Sequence, residues 1–199
     1  TGTGSKVTGN ISNTTGDVDT GKNSTAGNIS NTNGSVTTGT NSTVQNIEGT
    51  RVNVTVNGTA GHISGTGSKV GLVGATTDYV SVTNSNVTVQ DGSTVNGTGT
   101  SDGISYTGYT AASATSKSTN GGSVTVTDSS SVTGAQNGIN YTNGNVTATG
   151  TSATQLAKVT GTTANGIANT SGKVSLSYAT VSGATNGVSA TATNVEIKD

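Results

Sequence analysis

Gly9–Thr14 reads Gly-Asn-Ile-Ser-Asn-Thr, and the same six residues return at Gly27–Thr32, 18 positions later. The phrase continues with drift as Gln45–Thr50, Gly61–Thr66, Asp78–Thr83, Asp102–Thr107, Asn137–Thr142, Asn165–Thr170 and Asn186–Thr191, making nine units. Self-similarity at such spacings is the signature of a repeat architecture. With the aliphatic residue of each phrase as an anchor, one column runs Ile11, Ile29, Ile47, Ile63, Val80, Ile104, Ile139, Ile167, Val188. Three residues on, every unit has threonine: Thr14, Thr32, Thr50, Thr66, Thr83, Thr107, Thr142, Thr170, Thr191. Seven residues after the anchor stand Val18, Val36, Val54, Val70, Val87, Val146, Val174 and Val195; in the sixth unit an intervening stretch displaces the equivalent residue to Val124. A third apolar position follows as Ala26, Val44, Val95, Val132 and Val181.

Three short β-prone runs per unit, each contributing inward aliphatics, describe one coil of a parallel β-helix. The expectation is an all-β fold of about nine coils with two loop insertions, one segment covering 1–199. Coils stacked about 4.8 Å apart give a rod of roughly 43 Å. Gly and Asn at fixed offsets suit corners that need left-handed backbone. The lack of proline agrees, because proline deletes a ladder hydrogen bond.

Composition narrows the function. Gly (31), Thr (43), Ser (26) and Asn (22) dominate the 199 residues, and there is no Cys, Pro, Met, Trp or Phe. Thiol chemistry, disulfides and Cys-based zinc sites are thereby excluded. No long apolar window can cross a membrane as a helix. A net charge of -1 with eight Lys and Arg gives no basic footprint for nucleic acid.

Early units place Asn just before the anchor (Asn10, Asn28, Asn46, then His62), and later units reverse the order to Asp102-Gly103, Asn137-Gly138, Asn165-Gly166 and Asn186-Gly187. Side-chain amides repeated at the strand spacing bond along a stack. Two corner ladders are therefore expected, the second of them Asp78, Asp102, Asn137, Asn165 and Asn186. Tyr106 and Tyr141 share an offset in consecutive coils and should stack.

Hydrolases and lyases need clustered carboxylates, alone or with a cation. Asp78 with Asp102, and Asp91 with Asp128, fall at matching offsets but read first as turn caps. The single histidine, His62, occupies a ladder position, and Arg51 has no acid at a matching offset. The chain is read as a non-enzyme with no metal and no cofactor.

Two surface features remain. Ser12, Ser30, Ser64, Ser81, Ser105 and Ser189 combine with the threonine column into a Ser-x-Thr face, interrupted by Glu48, Asn140 and Ala168. Regular hydroxyl rows suggest an ice-binding alternative, and a carbohydrate-active β-helix enzyme is the other alternative. Two insertions are expected, at about 108–122 and 150–163. Solenoid insertions often carry binding. Tyr106, Tyr109 and Lys117 form an aromatic and cationic group at the first.

The stretches 137–150 and 165–177, with their Asn-Gly-Ile and Gly-x-Val steps, resemble passenger domains of bacterial type V secreted adhesins, namely autotransporters and filamentous-haemagglutinin-like exoproteins. The resemblance implies a right-handed parallel β-helix displayed extracellularly, on the bacterial surface or secreted. It also implies attachment to a glycan or protein receptor on host cells, other bacteria or surfaces. A membrane barrel or transporter partner is expected outside this segment. Because the pattern starts and stops in mid-repeat, the chain is expected to be a piece of a longer fibrous protein.

Overall fold

In the computed structural model, which describes residues 2–108, 122–191 and 193–198, three parallel sheets wind around one narrow core. The first sheet contains the anchors, in nine strands from Ile11–Asn13 to Asn186–Ala190. The second runs in nine strands from Val18–Asp19 to Thr193–Lys198, and the third in eight from Thr25–Ala26 to Ala179–Gly183. Every strand pairs with the equivalent strand one coil away, so the fold is a parallel β-helix of nine coils.

The register is the one the columns require. Ile11 pairs with Ile29, Ile47 with Ile63, Val80 with Ile104, and Ile139 with Ile167, which pairs with Val188. Val124 lies between Val87 and Val146, so the long sixth coil returns to register after its intervening stretch. In-register stacking puts each aliphatic on the one below, and the anchors from Ile29 to Ile167 are buried. Each such side chain contributes about 1.5–3 kcal/mol of apolar burial.

The third sheet is more continuous than its sequence suggests. Its inward column runs Ala26, Val44, Ala60, Thr77, Val95, Val132, Val159, Val181. Val159 falls inside the segment expected to be an insertion at 150–163. There Ala157–Gly161 is a regular strand pairing with both neighbours. The extra chain reduces to 150–156, closed by a bridge between Ser152 and Gln155.

Corners are sealed by buried hydroxyls. The Ser42 and Ser93 hydroxyls donate to the Gly39 and Gln90 carbonyls at 2.6 Å each. Ser68 Oγ accepts the Val52 N–H (3.2 Å), and Ser85 Oγ accepts the Ser68 N–H (3.0 Å). Such bonds satisfy turn groups that have left the ladders. Asn41, Asp91 and Asp128 at one corner, and Asn84 and Asn143 at another, adopt left-handed backbone that Asn and Asp tolerate best. Arg51 does so too, at φ 55°.

The last coils differ from the rest in charge and exposure. Lys173 and Lys198 clasp Glu196 at 2.5 and 2.7 Å. Sparse as the charges are along the chain, three of them meet here. Val195 and Ile197, inward by pattern, are 45% and 74% exposed on this coil.

Candidate functional site

Both ladders form. Asn28 Nδ2 donates to Asn10 Oδ1 (3.2 Å), Asn46 Nδ2 to Asn28 Oδ1 (2.8 Å), and the His62 N–H to Asn46 Oδ1 (3.0 Å). The His62 ring stacks on Tyr79 with centroids 5.1 Å apart and planes 7° from parallel. In the later coils Asp102 Oδ1 accepts both the N–H and Nδ2 of Asn137 (3.0 and 2.9 Å). Asn137 Oδ1 in turn accepts both from Asn165 (3.1 and 3.0 Å), and Asn186 Nδ2 reaches Asn165 Oδ1 (2.9 Å). Asn140, which interrupts the serine row, donates to the other oxygen of Asp102 (2.9 Å). Asp78, expected in the same column, makes no rung of either ladder; its backbone N–H bonds to the Gly61 carbonyl.

Reversing Gly and Asn has a steric cause. In the later coils the residue before the anchor lies against the third sheet. A Cβ on Gly138 would come within 2.7 Å of the Gly166 carbonyl oxygen and of Val159 Cγ1, and one on Gly166 within 2.6 Å of the Gly187 oxygen and Val181 Cγ1. Only glycine fits, so the amide moves one residue back into the corner, where Asn137 is buried. In the early coils the amide stays beside the anchor, half-buried at Asn28 and Asn46 and exposed at Asn10.

The threonines stand as an outward row on the first sheet, with Thr50, Thr66, Thr83, Thr107 and Thr142 in direct register. Thr14, Thr32, Thr170 and Thr191 follow their strands at the same offset. The last three donate backbone N–H groups to the Asn13, Tyr141 and Asn169 carbonyls.

Tyr106 does not belong to a surface group. It is 1% exposed, and its ring stacks on that of Tyr141 at 4.1 Å and 6°. Two residues after the inward anchor Ile104, the side chain points inward again. This inner column holds Asn31, Gly49, Gly65, Val82, Tyr106, Tyr141 and Asn169, too varied to be recognised as core from sequence. The two phenols instead anchor the foot of the first insertion. Tyr106 Oη accepts the Gly122 N–H (2.7 Å), Tyr141 Oη donates to the Gly122 carbonyl, and the Gly108 N–H donates to Thr142 O (2.7 Å). Burial, and then the stacked Tyr106, push the Tyr141 phenol well above its ordinary range. Tyr109 and Lys117 lie outside the described residues.

Of the paired carboxylates, Asp128 caps a turn and Asp102 is a rung of the ladder. Asp128 Oδ2 accepts the Asp91 N–H (3.3 Å) and the Thr127 hydroxyl (3.2 Å). Among the described residues no three His, Asp or Glu side chains gather as metal ligands.

One concave feature combines several functional groups. A groove of about 540 Å³ runs over the first sheet across coils one to four. Asn10, Asn28, Asn46 and His62 line it on one side, and Ser12, Ser30, Glu48 and Ser64 on the other, over Ile11 and Ile29. Sequence reading saw its walls only as a ladder and an interrupted serine row. The available signal was Glu48, the one charge in that row. No family model matches the chain, and neither a curated protein nor a solved structure does.

Proposed function

We propose that this chain is a rod segment of an extracellular adhesin, holding a binding surface away from a bacterial surface and contributing to attachment. The observation that carries the reading is the unbroken register of three parallel sheets over nine coils. In such a solenoid each coil contacts only its neighbours, so length is gained by adding coils. Two ladders and sealed corners stiffen the column without disulfides. The receptor is a surface glycan or protein, and the chain carries out no catalysis. Attachment of beads coated with the folded chain to bacterial and host-cell monolayers tests this. Saturable attachment competed by free chain is expected; indifference to every surface, with release of reducing ends from a polysaccharide, would replace the reading with an enzymatic one.

A second reading, ice binding, is favoured by in-register threonines on two faces. Besides the first-sheet row, Thr25, Thr43, Thr59, Thr76 and Thr94 line up on the third sheet. Thermal hysteresis measured in a nanolitre osmometer decides it, and the adhesin reading expects none.

A further inference from the structure

We propose that the groove over coils one to four binds an extended glycan that carries no negative charge, about three sugar units long. This rests on the adhesin reading and names the chemistry of its receptor. The groove spans three coil steps, roughly 14 Å at about 4.8 Å each, and its two walls are two residues apart along a strand, about 7 Å. A pyranose ring is about as long as one step and fits between walls so spaced, so each coil offers one sugar its own set of partners.

Those partners suit hydroxyl groups. A side-chain amide has two N–H donors and an acceptor oxygen. Asn28 and Asn46 each spend one N–H on the ladder, which leaves one N–H apiece for a ligand. Ser12, Ser30 and Ser64 face them with hydroxyls that donate or accept, and Glu48 accepts from vicinal diols. His62, backed by Tyr79, closes the end with an aromatic surface of the kind that packs on the C–H face of a sugar. The ladder holds the amides in place before any ligand arrives, so little side-chain entropy is lost on binding.

Other ligand classes fit less well. Nucleic acids and acidic polysaccharides need cations, yet no Lys or Arg lines the groove among the described residues, and Glu48 stands exposed in its wall. A peptide added as a strand needs a free sheet edge, whereas this is a sheet face whose backbone bonds run between coils. An apolar ligand would strand the amides without partners.

The test uses the full 199-residue chain on an array of neutral β-linked glucose and N-acetylglucosamine hexasaccharides, an amino-sugar hexasaccharide and a uronic-acid hexasaccharide. Titration calorimetry follows each positive. Saturable binding to a neutral or amino-sugar chain, and none to the uronate, is the expected result. Ser30→Trp fills the groove without removing any ladder bond and should abolish binding. Asn46→Leu should weaken it about tenfold, the equivalent of 1.4 kcal/mol, and Glu48→Gln should let the uronate bind. Circular dichroism confirms that each variant is folded. Binding to none of the hexasaccharides, or binding that survives Ser30→Trp, overturns the proposal. Cell attachment that persists in Ser30→Trp would locate the adhesive surface elsewhere, leaving the adhesin reading standing and the groove proposal refuted.

Discussion

The two amide ladders of the first sheet are made of the same residues in opposite order, and that order decides what each can do. In the early coils asparagine stands beside the anchor, on the open face, and its amides bond to one another while still meeting solvent. In the later coils glycine takes that place because Val159 and Val181 leave no space for a Cβ, and the amide is drawn into the corner. There Asp102 and Asn137 repeat the double bond to backbone and side chain that Asn10 makes to Asn28, but in a corner where Asn137 is buried. The first ladder is a surface and the second is a spine. A repeat of constant fold can thus divide binding and support between its ends by exchanging two adjacent residues.

The largest test of the spine is at its core. Tyr141→Ala removes a buried ring stacked on Tyr106 and the hydroxyl that holds Gly122, so a loss of about 3–5 kcal/mol in urea unfolding is expected. The same phenol makes the later coils sensitive to alkali. Its folded pKa is raised, so its contribution is complete below the unfolded value near 10 and declines as pH rises above it. The slope is about 1.4 kcal/mol per pH unit. Tyr141→Phe should remove that dependence, and an unchanged alkaline midpoint would show that the phenol ionises as freely as in water.

Next comes a direct comparison of the ladders. Asn137→Ala removes the donor to Asp102 and the acceptor of two Asn165 N–H groups in a buried corner, and should cost about 2–3 kcal/mol. Asn28→Ala removes similar bonds where water can replace them and should cost about 0.5–1 kcal/mol. Equal losses would mean that the early ladder is also structural, and the contrast drawn between them would fail.

The parts of this arrangement that were legible in the sequence are those that repeat without variation. Anchors, the valine column and the ladder residues share an offset in nearly every unit, and all fall where that offset puts them, including Val124 across its long detour. Columns whose identity changes could not be read. Tyr106 stacks on Tyr141 as their shared offset predicts, yet it is also grouped with the surface of the first insertion, because the core column it belongs to holds Asn, Gly and Val in other coils. Val159 was lost among Thr and Lys because the third-sheet strands of coils three and four, Thr59–Ala60 and Thr76–Thr77, present no valine to align with it. The groove eluded sequence reading for a different reason. It lies between two columns, and concavity is a property of neither.

Thr77 offers a smaller effect of opposite sign. It occupies the buried third-sheet column between Ala60 and Val95, and its hydroxyl has no hydrogen-bond partner. Thr77→Val keeps the shape and removes an unpaired polar atom, so a gain of about 1 kcal/mol in urea unfolding is expected. It should add independently to the ladder variants of the later coils, which it does not touch. A loss instead would reveal a partner for the hydroxyl and a tighter corner in the early coils than the open ladder implies.

The smallest effect lies at the far end of the spine, where Glu196 is held between Lys173 and Lys198. Hydrogen bonds from Lys173, then Lys198, lower its carboxyl to about 2 from an ordinary 4.5. A depressed carboxyl contributes stability that is complete above the unfolded value and is lost as pH falls through the folded one. The ninth coil should therefore keep its protection from pH 7 to about 4.5 and lose it progressively toward pH 2. Because the pair is exposed and screened by salt, the change should be confined to amide exchange in Thr193–Lys198, with the circular dichroism of the whole rod unchanged between pH 7 and 4. Lys173→Ala should shift the onset of exchange to higher pH. The Asn10, Asn28 and Asn46 rungs of the early ladder do not ionise, so Ile11–Asn13 should show a smaller step in this range, and acid separates the two ends of the rod. A step of equal size in Ile11–Asn13 would mean that the ends unfold together, and that the nine coils form one cooperative unit rather than a chain of neighbours.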